Sequence, residues 1–262
     1  MNFKIITWNV NSIKIRLNHL RQLITKYQPD IVCLQELKCR TEKFPYDKLN
    51  DLPYNLYVHG QNTYNGVAIL STISADKVVT NFADNPIPEQ ARFIECSFNT
   101  RIGNIRVISL YAPNGGVINS NKFVTKLRFY DAFIKYINHK KSFKQKLFIC
   151  ADYNIAPFDI DVYSPDQLIN CTGFSLAERK KMRIILNNGF VDHFRVKYPT
   201  KKEFSWWDYR KNSFVQNKGM RIDAIISTSN VLQNLEDCII DDNFRMKSIP
   251  SDHAPIIGVY SI

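Results

Sequence analysis

Near the end of the chain, Ser251-Asp252-His253-Ala254-Pro255 stands directly ahead of an apolar run over residues 256–259. A carboxylate beside an imidazole can hold a divalent cation and handle a proton in one place. Other apolar runs end or begin in the same manner. Asn9 and Asn11 follow residues 4–8, Gln35 and Glu36 follow residues 31–34, and residues 105–110 run into Tyr111-Ala112-Pro113-Asn114. Asp152 and Asn154 follow residues 147–151, and Asp223 opens the run at residues 222–226. Taken singly these have bland readings: an Asn after a strand is ordinarily a turn residue, and Asp152-x-Asn154 reads equally as an Asx-turn. Six strand ends carrying such groups point instead to one site, because neighbouring strand ends converge on a common rim.

Carboxylates, amides and an imidazole make the ligand set of a hard divalent cation, Mg²⁺ or Mn²⁺. Zinc would ask for thiolates or more histidines, and the chain has only five His with no HExxH spacing. Neither GxxxxGK[ST] nor GxGxxG occurs, so a nucleotide-cradling loop finds no support. The GxSxG elbow of serine hydrolases is absent too. Metal-assisted hydrolysis of a phosphate ester remains.

The elements that must position these groups are legible from periodicity. Residues 4–8 read as a strand. Ile13, Leu17, Leu20, Ile24 and Tyr27 recur at steps of three and four, which predicts a helix stopped by Pro29-Asp30 before a buried strand at 31–34. Asn65-Gly66 predicts a hairpin turn between residues 54–59 and 67–70, and residues 101–104 another between 92–98 and 105–111. A helix is expected over 121–139, with Phe123, Leu127, Tyr130 and Ile134 on one side. A buried strand is expected at 147–151, and Ser175 with Glu178 forms a capping box for a helix reaching about Asn188. Later strands fall at 222–226, 238–241 and 256–260. Strands alternate with helices but hairpins also occur, so mixed sheets covered by helices on their outer faces are expected.

The 262 residues, 45% of them hydrophobic, can bury a full core as one domain spanning 1–262. Lys and Arg outnumber Asp and Glu by 35 to 24, a charge of +11 spread along the chain. Such a basic face suits a polyanion, nucleic acid before an anionic membrane. The six cysteines form no CxxC, and no window approaches the length of a membrane span. A reducing, cytoplasmic setting is expected.

The segments ITWNVNSIKIR, PDIVCLQELK, YNGVAIL, QARFIE, SLYAPNG, ADYN, FSWWDYR, GMRID and SDHAPI cover nearly the whole chain. In this order they resemble the exonuclease III-type apurinic/apyrimidinic endonucleases, within the endonuclease/exonuclease/phosphatase superfamily. QE, DxN and SDH are shared widely across that superfamily, whereas FSWWDYR with RID points to its DNA-repair branch. The resemblance implies a four-layered α/β sandwich of the DNase I type, two packed mixed β-sheets flanked by helices. It also implies Mg²⁺ (or Mn²⁺), and a monomer acting on double-stranded DNA with abasic sites or blocked 3′ ends. Hydrolysis is expected on the 5′ side of the abasic site, with 3′-to-5′ exonuclease and 3′-end-cleaning activity, in the cytoplasm at the nucleoid. A superfamily phosphatase acting on inositol phosphates or sphingomyelin is the alternative.

By the same resemblance Glu36 is the principal metal ligand, with Asn9, Asp152, Asn154, Asp252 and His253 around the cation. Asp152 positions or deprotonates the attacking water, Asn154 supports the transition state, Asp223 orients His253, and Tyr111 serves the phosphate. Trp206, Met220 and Ile222 line a pocket for a baseless sugar, and Arg92, Asn114, Lys122 and Lys126 contact DNA. Two departures stand out: Ala151 replaces a common glycine, and Met220 a tryptophan found in some relatives. The segment 158–174 matches less clearly and receives no contacts.

Overall fold

A computed structural model describes residues 2–140 and 146–262. Its strands are β1 (Asn2–Asn9), β2 (Ile31–Gln35), β3 (Asn55–His59), β4 (Val67–Ser71), β5 (Lys77–Val79) and β6 (Phe93–Thr100). They continue with β7 (Gly103–Tyr111), β8 (Lys146–Asp152), β9 (Phe190–Asp192), β10 (Asp223–Thr228), β11 (Leu235–Ile240) and β12 (Ile256–Ser261). The α-helices are α1 (Ile13–Tyr27), α2 (Asn121–Lys140), α3 (Pro165–Leu168), α4 (Leu176–Asn187) and α5 (His193–Lys197).

Two six-stranded sheets form, in the orders β11-β12-β1-β2-β4-β3 and β5-β6-β7-β8-β10-β9. Each holds one parallel pair, β1 with β2 and β7 with β8, and the other neighbours run antiparallel. Those parallel pairs are joined by α1 and α2, because parallel neighbours need a crossover and a helix supplies it.

The central strands β1, β2, β4, β8 and β10 are buried on both faces, which is why they read as continuous runs rather than alternating ones. Phe3, Ile5, Cys33 and Ile69 of the first sheet meet Cys96, Val107, Phe148 and Ile225 of the second between the sheets. On the outer face of the first sheet, Ile6, Trp8 and Leu34 pack on Ile13, Leu20, Leu23 and Ile24 of α1. On the outer face of the second, Ile108, Leu110 and Ile149 pack on Phe129, Phe133 and Ile137 of α2 and on Met182 and Ile185 of α4. Helix, sheet, sheet, helix is the expected four-layered sandwich.

Polar ties cross the middle of this core near one rim. The Gln35 amide donates to Thr7 Oγ1 at 3.1 Å and to Ser109 Oγ of the other sheet at 3.0 Å, and Ser109 Oγ donates to the Leu34 carbonyl at 3.0 Å.

Two details differ from the sequence expectation. Asn65 and Gly66 both adopt positive φ, as a turn there requires. They close a longer loop, residues 60–66, because the β3–β4 ladder ends at the His59–Val67 pair. The short elements β5, β9, α3 and α5 were not expected, being too brief to show a period. No helix among the described residues is long and apolar enough to cross a membrane.

Candidate active site

The parallel strands all deliver their carboxyl ends to one rim, where open α/β sheets bind ligands. Asn9 ends β1 opposite Gln35, the last residue of β2, so Glu36 follows immediately. Tyr111 ends β7 opposite Asp152, which ends β8. The antiparallel β10 begins at the same rim with Asp223 paired to Asp152, and His253 lies just ahead of β12. Like charges directly opposite on neighbouring strands repel. That arrangement has no structural merit of its own.

His253 sits between the two aspartates. Its Nδ1 lies 2.8 Å from Asp223 Oδ2, which also accepts a 2.6 Å hydrogen bond from Ser205 Oγ. That pairing turns Nε2 toward Asp152, 3.8 Å from its Oδ2. Burial alone would depress the imidazole, but the carboxylates of Asp223, Asp152 and Asp252 outweigh it and raise its pKa to about 10. Asp152 is likewise pushed above the usual carboxylate range, first by burial and then by Asp223. Its Oδ1 accepts the Asn154 N–H at 2.9 Å, with Asn154 at φ 51°. The Asx-turn and the site residue are therefore the same carboxylate.

Asn9 bridges the acids: its amide nitrogen donates at 2.8 Å to both Glu36 Oε1 and Asp152 Oδ2, while its oxygen accepts the Asn11 N–H. Burial, with Glu36 and Asp152 nearby, raises the Tyr111 phenol well above its ordinary pKa, so it stays a hydrogen-bond donor.

Atoms of Glu36, Asp152 and His253 able to bind a cation lie within 4.8 Å of one another. Three observations fit a divalent ion there. Asp152 is crowded by Asp223, the ammonium of Lys38 already stands 3.0 Å from Glu36 Oε2, and buried Asp223 Oδ1 has no hydrogen-bond partner among the described residues. Oxygen and imidazole donors suit a hard ion.

The other expected ligands are near but engaged. Asn154 accepts from the Asn114 amide at 3.1 Å and donates to the Ala112 carbonyl at 3.0 Å. Asp252 accepts from Asn11 Nδ2 at 2.8 Å and from Trp206 Nε1 at 3.0 Å, which ties the site to the tryptophan.

Trp206, Met220 and Ile222 do come together. They form one apolar cluster with Ala156, Val162 and Phe174, and Trp206 makes backbone bridges to both Met220 and His253. Val162 and Phe174 come from the segment that sequence left without contacts; only the folded chain brings them beside Met220. Ser205 and Asn11 also gain roles, as donors to Asp223 and Asp252. A serine inside FSWWDYR gave no separate signal.

The basic residues divide. Lys122 is exposed at the start of α2. Arg92 donates to Gln90 Oε1 at 2.6 Å and stacks on the Tyr111 ring, 4.7 Å from its centroid, so it steadies the tyrosine. Lys126 requires a correction: its side chain is 0% exposed and its ammonium is paired inside the protein, out of reach of any DNA phosphate.

A profile described as the Endonuclease/Exonuclease/phosphatase family matches residues 6–253. Exodeoxyribonuclease III of Haemophilus influenzae is 33% identical over 261 residues, covering 97% of this chain and 98% of that protein. Among solved structures, the 3′ phosphatase NExo from Neisseria, bound to a product DNA hairpin, superposes with a TM-score of 0.95 at 33% identity. That match covers 99% of this chain and 100% of that one. An AP endonuclease from Archaeoglobus fulgidus gives 0.94 at 34% identity, with the same two coverages. With the profile reaching from β1 to His253, and with these relatives matched over nearly their whole length, the chain belongs to the Endonuclease/Exonuclease/phosphatase family.

Proposed function

We propose that the chain is a metal-dependent DNA-repair nuclease. It hydrolyses the phosphodiester 5′ to an abasic site in duplex DNA and also trims and cleans 3′ ends. The observation that carries this reading is the juxtaposition of the Asp223–His253 couple and Asp152 with the Trp206, Met220 and Ile222 cluster. One half handles a phosphodiester and the other fits a sugar that lacks its base. The relatives named exodeoxyribonuclease III, AP endonuclease and 3′ phosphatase support the same substrate class.

Glu36 and Asp152, with His253 beside them, would hold Mg²⁺ or Mn²⁺. The bound ion would supply Lewis-acid stabilisation of charge on the phosphate oxygens. The chain's own residues do the rest. Asp152 Oδ2, 3.8 Å from His253 Nε2, is the group placed to take the proton of the attacking water, since a cationic imidazole has no lone pair left to accept it. Asp223 fixes the imidazole tautomer, and the surrounding carboxylates favour its cationic form, which suits it to grip a phosphate oxygen. Tyr111 donates from its neutral phenol. Asn154, held by Asn114 and Ala112, supports the same phosphate. The apolar pocket refuses a normal nucleotide on size, and extrusion is cheapest where no base is stacked.

A labelled duplex carrying one tetrahydrofuran abasic analogue tests the proposal. Incision 5′ to the lesion is expected with Mg²⁺ and none with EDTA. Glu36→Ala and His253→Ala should each lower the rate at least ~100-fold while duplex affinity stays within a few-fold. Absence of incision with every divalent cation, alongside release of phosphate from inositol phosphates or phosphocholine from sphingomyelin, would falsify the repair reading.

A further inference from the structure

The lysine that cannot reach DNA has another use. Lys126 Nζ donates to the Asn114 carbonyl at 2.9 Å, to the Asn154 carbonyl at 2.8 Å and to Glu178 Oε1 at 2.5 Å. An ammonium carries three protons, and all three are engaged. Both side chains of the pair are wholly buried. Burial pulls the amine below the usual lysine range and Glu178 pulls it back.

A buried ion pair is a poor way to gain stability, since apolar side chains of similar volume generally do as well or better. The neighbouring buried positions on α2 (Phe123, Phe129, Tyr130 and Phe133) are aromatic. A lysine among them calls for a reason other than adhesion.

Its partners supply the reason. Asn114 follows β7 and holds Asn154 Oδ1 through its amide; Asn154 follows β8 and holds Asp152 Oδ1 through its N–H. The third partner, Glu178, accepts from the Gly173 N–H, the Ser175 N–H and the Ser175 hydroxyl. Those groups flank Phe174 of the apolar cluster, and the Ala156 N–H donates to the Gly173 carbonyl at 2.8 Å. At Gly115, with φ +94°, an added Cβ would come within 2.8 Å of Lys126 Cδ, so the loop is moulded on the lysine stem.

We propose that Lys126 and Glu178 are a positioning pair. Together they lock the backbone of Asn114 and Asn154, and through Asn154 the Asp152 carboxylate, against the wall of the sugar pocket. The proposal rests on the nuclease reading. It predicts an effect on the chemical step and not on DNA affinity, because neither side chain touches solvent. A displacement of about 1 Å in such a site can cost roughly 100-fold in rate.

The experiment measures single-turnover incision of the abasic-analogue duplex, duplex Kd and thermal midpoint for three variants. Lys126→Arg keeps the charge pair but presents a planar fork that cannot serve both carbonyls as an ammonium does. Lys126→Met/Glu178→Gln removes both charges at similar volume. Arg106→Met/Glu95→Gln removes another buried pair, bonded at 2.6 Å between β6 and β7 and, among the described residues, making no hydrogen bond to Asn114, Asn154 or Asp152. The expected result is at least a tenfold lower rate in both Lys126 variants with Kd within twofold, while the Arg106/Glu95 variant incises at the wild-type rate. A wild-type rate in either folded Lys126 variant overturns the proposal. So does an equal fall in the Arg106/Glu95 variant, a loss confined to Kd, or failure of both Lys126 variants to fold, which makes the pair purely structural. Failure of the unsubstituted protein to incise counts against the nuclease reading instead.

Discussion

At the scale of single residues, two buried histidines show how surroundings decide chemistry. His253 is ringed by three carboxylates and its pKa rises to about 10, whereas at His193 no carboxylate offsets the cost of burial. The ring nitrogens of His193 lie 2.7 Å from the Tyr260 and Ser227 hydroxyls, and burial lowers its pKa to about 3. In the folded protein His193 therefore stays neutral down to about pH 3, while the unfolded chain takes up a proton near pH 6.5. The unfolded state binds more protons over that window, so stability is full above pH 6.5 and falls toward pH 3. This one group accounts for about 1.4 kcal/mol per pH unit. Urea unfolding at pH 7 and pH 5 should show His193→Gln losing about 2 kcal/mol less than the wild type between the two. Equal losses in the two proteins would rule out a neutral buried His193.

At the scale of elements, the strand ends around the site were legible because each broke an apolar run with a polar group, α1 and α2 because their spacing was regular, and α4 because of its capping box. Asp223, Asp152, Glu36 and His253 meet as the sequence suggests, since parallel strands deliver their carboxyl ends to one rim and the antiparallel β10 and β12 begin there. What sequence hid lies where distant elements meet. Lys126 resembles Lys122, yet Phe123, Lys126, Tyr130, Phe133 and Ile137 are spaced three and four apart on one buried face of α2. That spacing was the available signal; its partner Glu178 lies on another helix. Val162 and Phe174 joined the pocket through chain contacts with no period at all. The contacts of Gln35 belong to the same class: its amide holds Thr7 of the neighbouring β1 and, across the sheets, Ser109 of β7, placing β2 against β7 directly beneath the site. Gln35→Leu should cost about 1–3 kcal/mol by leaving buried hydroxyls without their donor. The reading fails if the urea midpoint and its slope match those of the wild type.

At the scale of the whole molecule, the charge of +11 governs encounter with DNA more than chemistry. The logarithm of duplex affinity should fall linearly with log salt, with a slope of about 0.9 per phosphate neutralised. Lys122→Ala should shallow that slope by about one, while Lys126→Arg leaves it unchanged, because only Lys122 faces solvent. Fluorescence anisotropy between 50 and 200 mM salt checks both. A slope that responds to Lys126 and not to Lys122 contradicts the burial described above.

The first and last strands are sheet neighbours: β1 pairs with β12, and the Trp8 indole donates to the His253 carbonyl at 3.0 Å. During synthesis Asn9 and Glu36 emerge early, and His253, which meets Glu36 at the rim, arrives only with β12. A nascent or prematurely halted chain that stops before residue 253 carries the carboxylates without their histidine. Because His253 sits just ahead of β12, the candidate site of this nuclease is assembled only once the strand that pairs with β1 has been made.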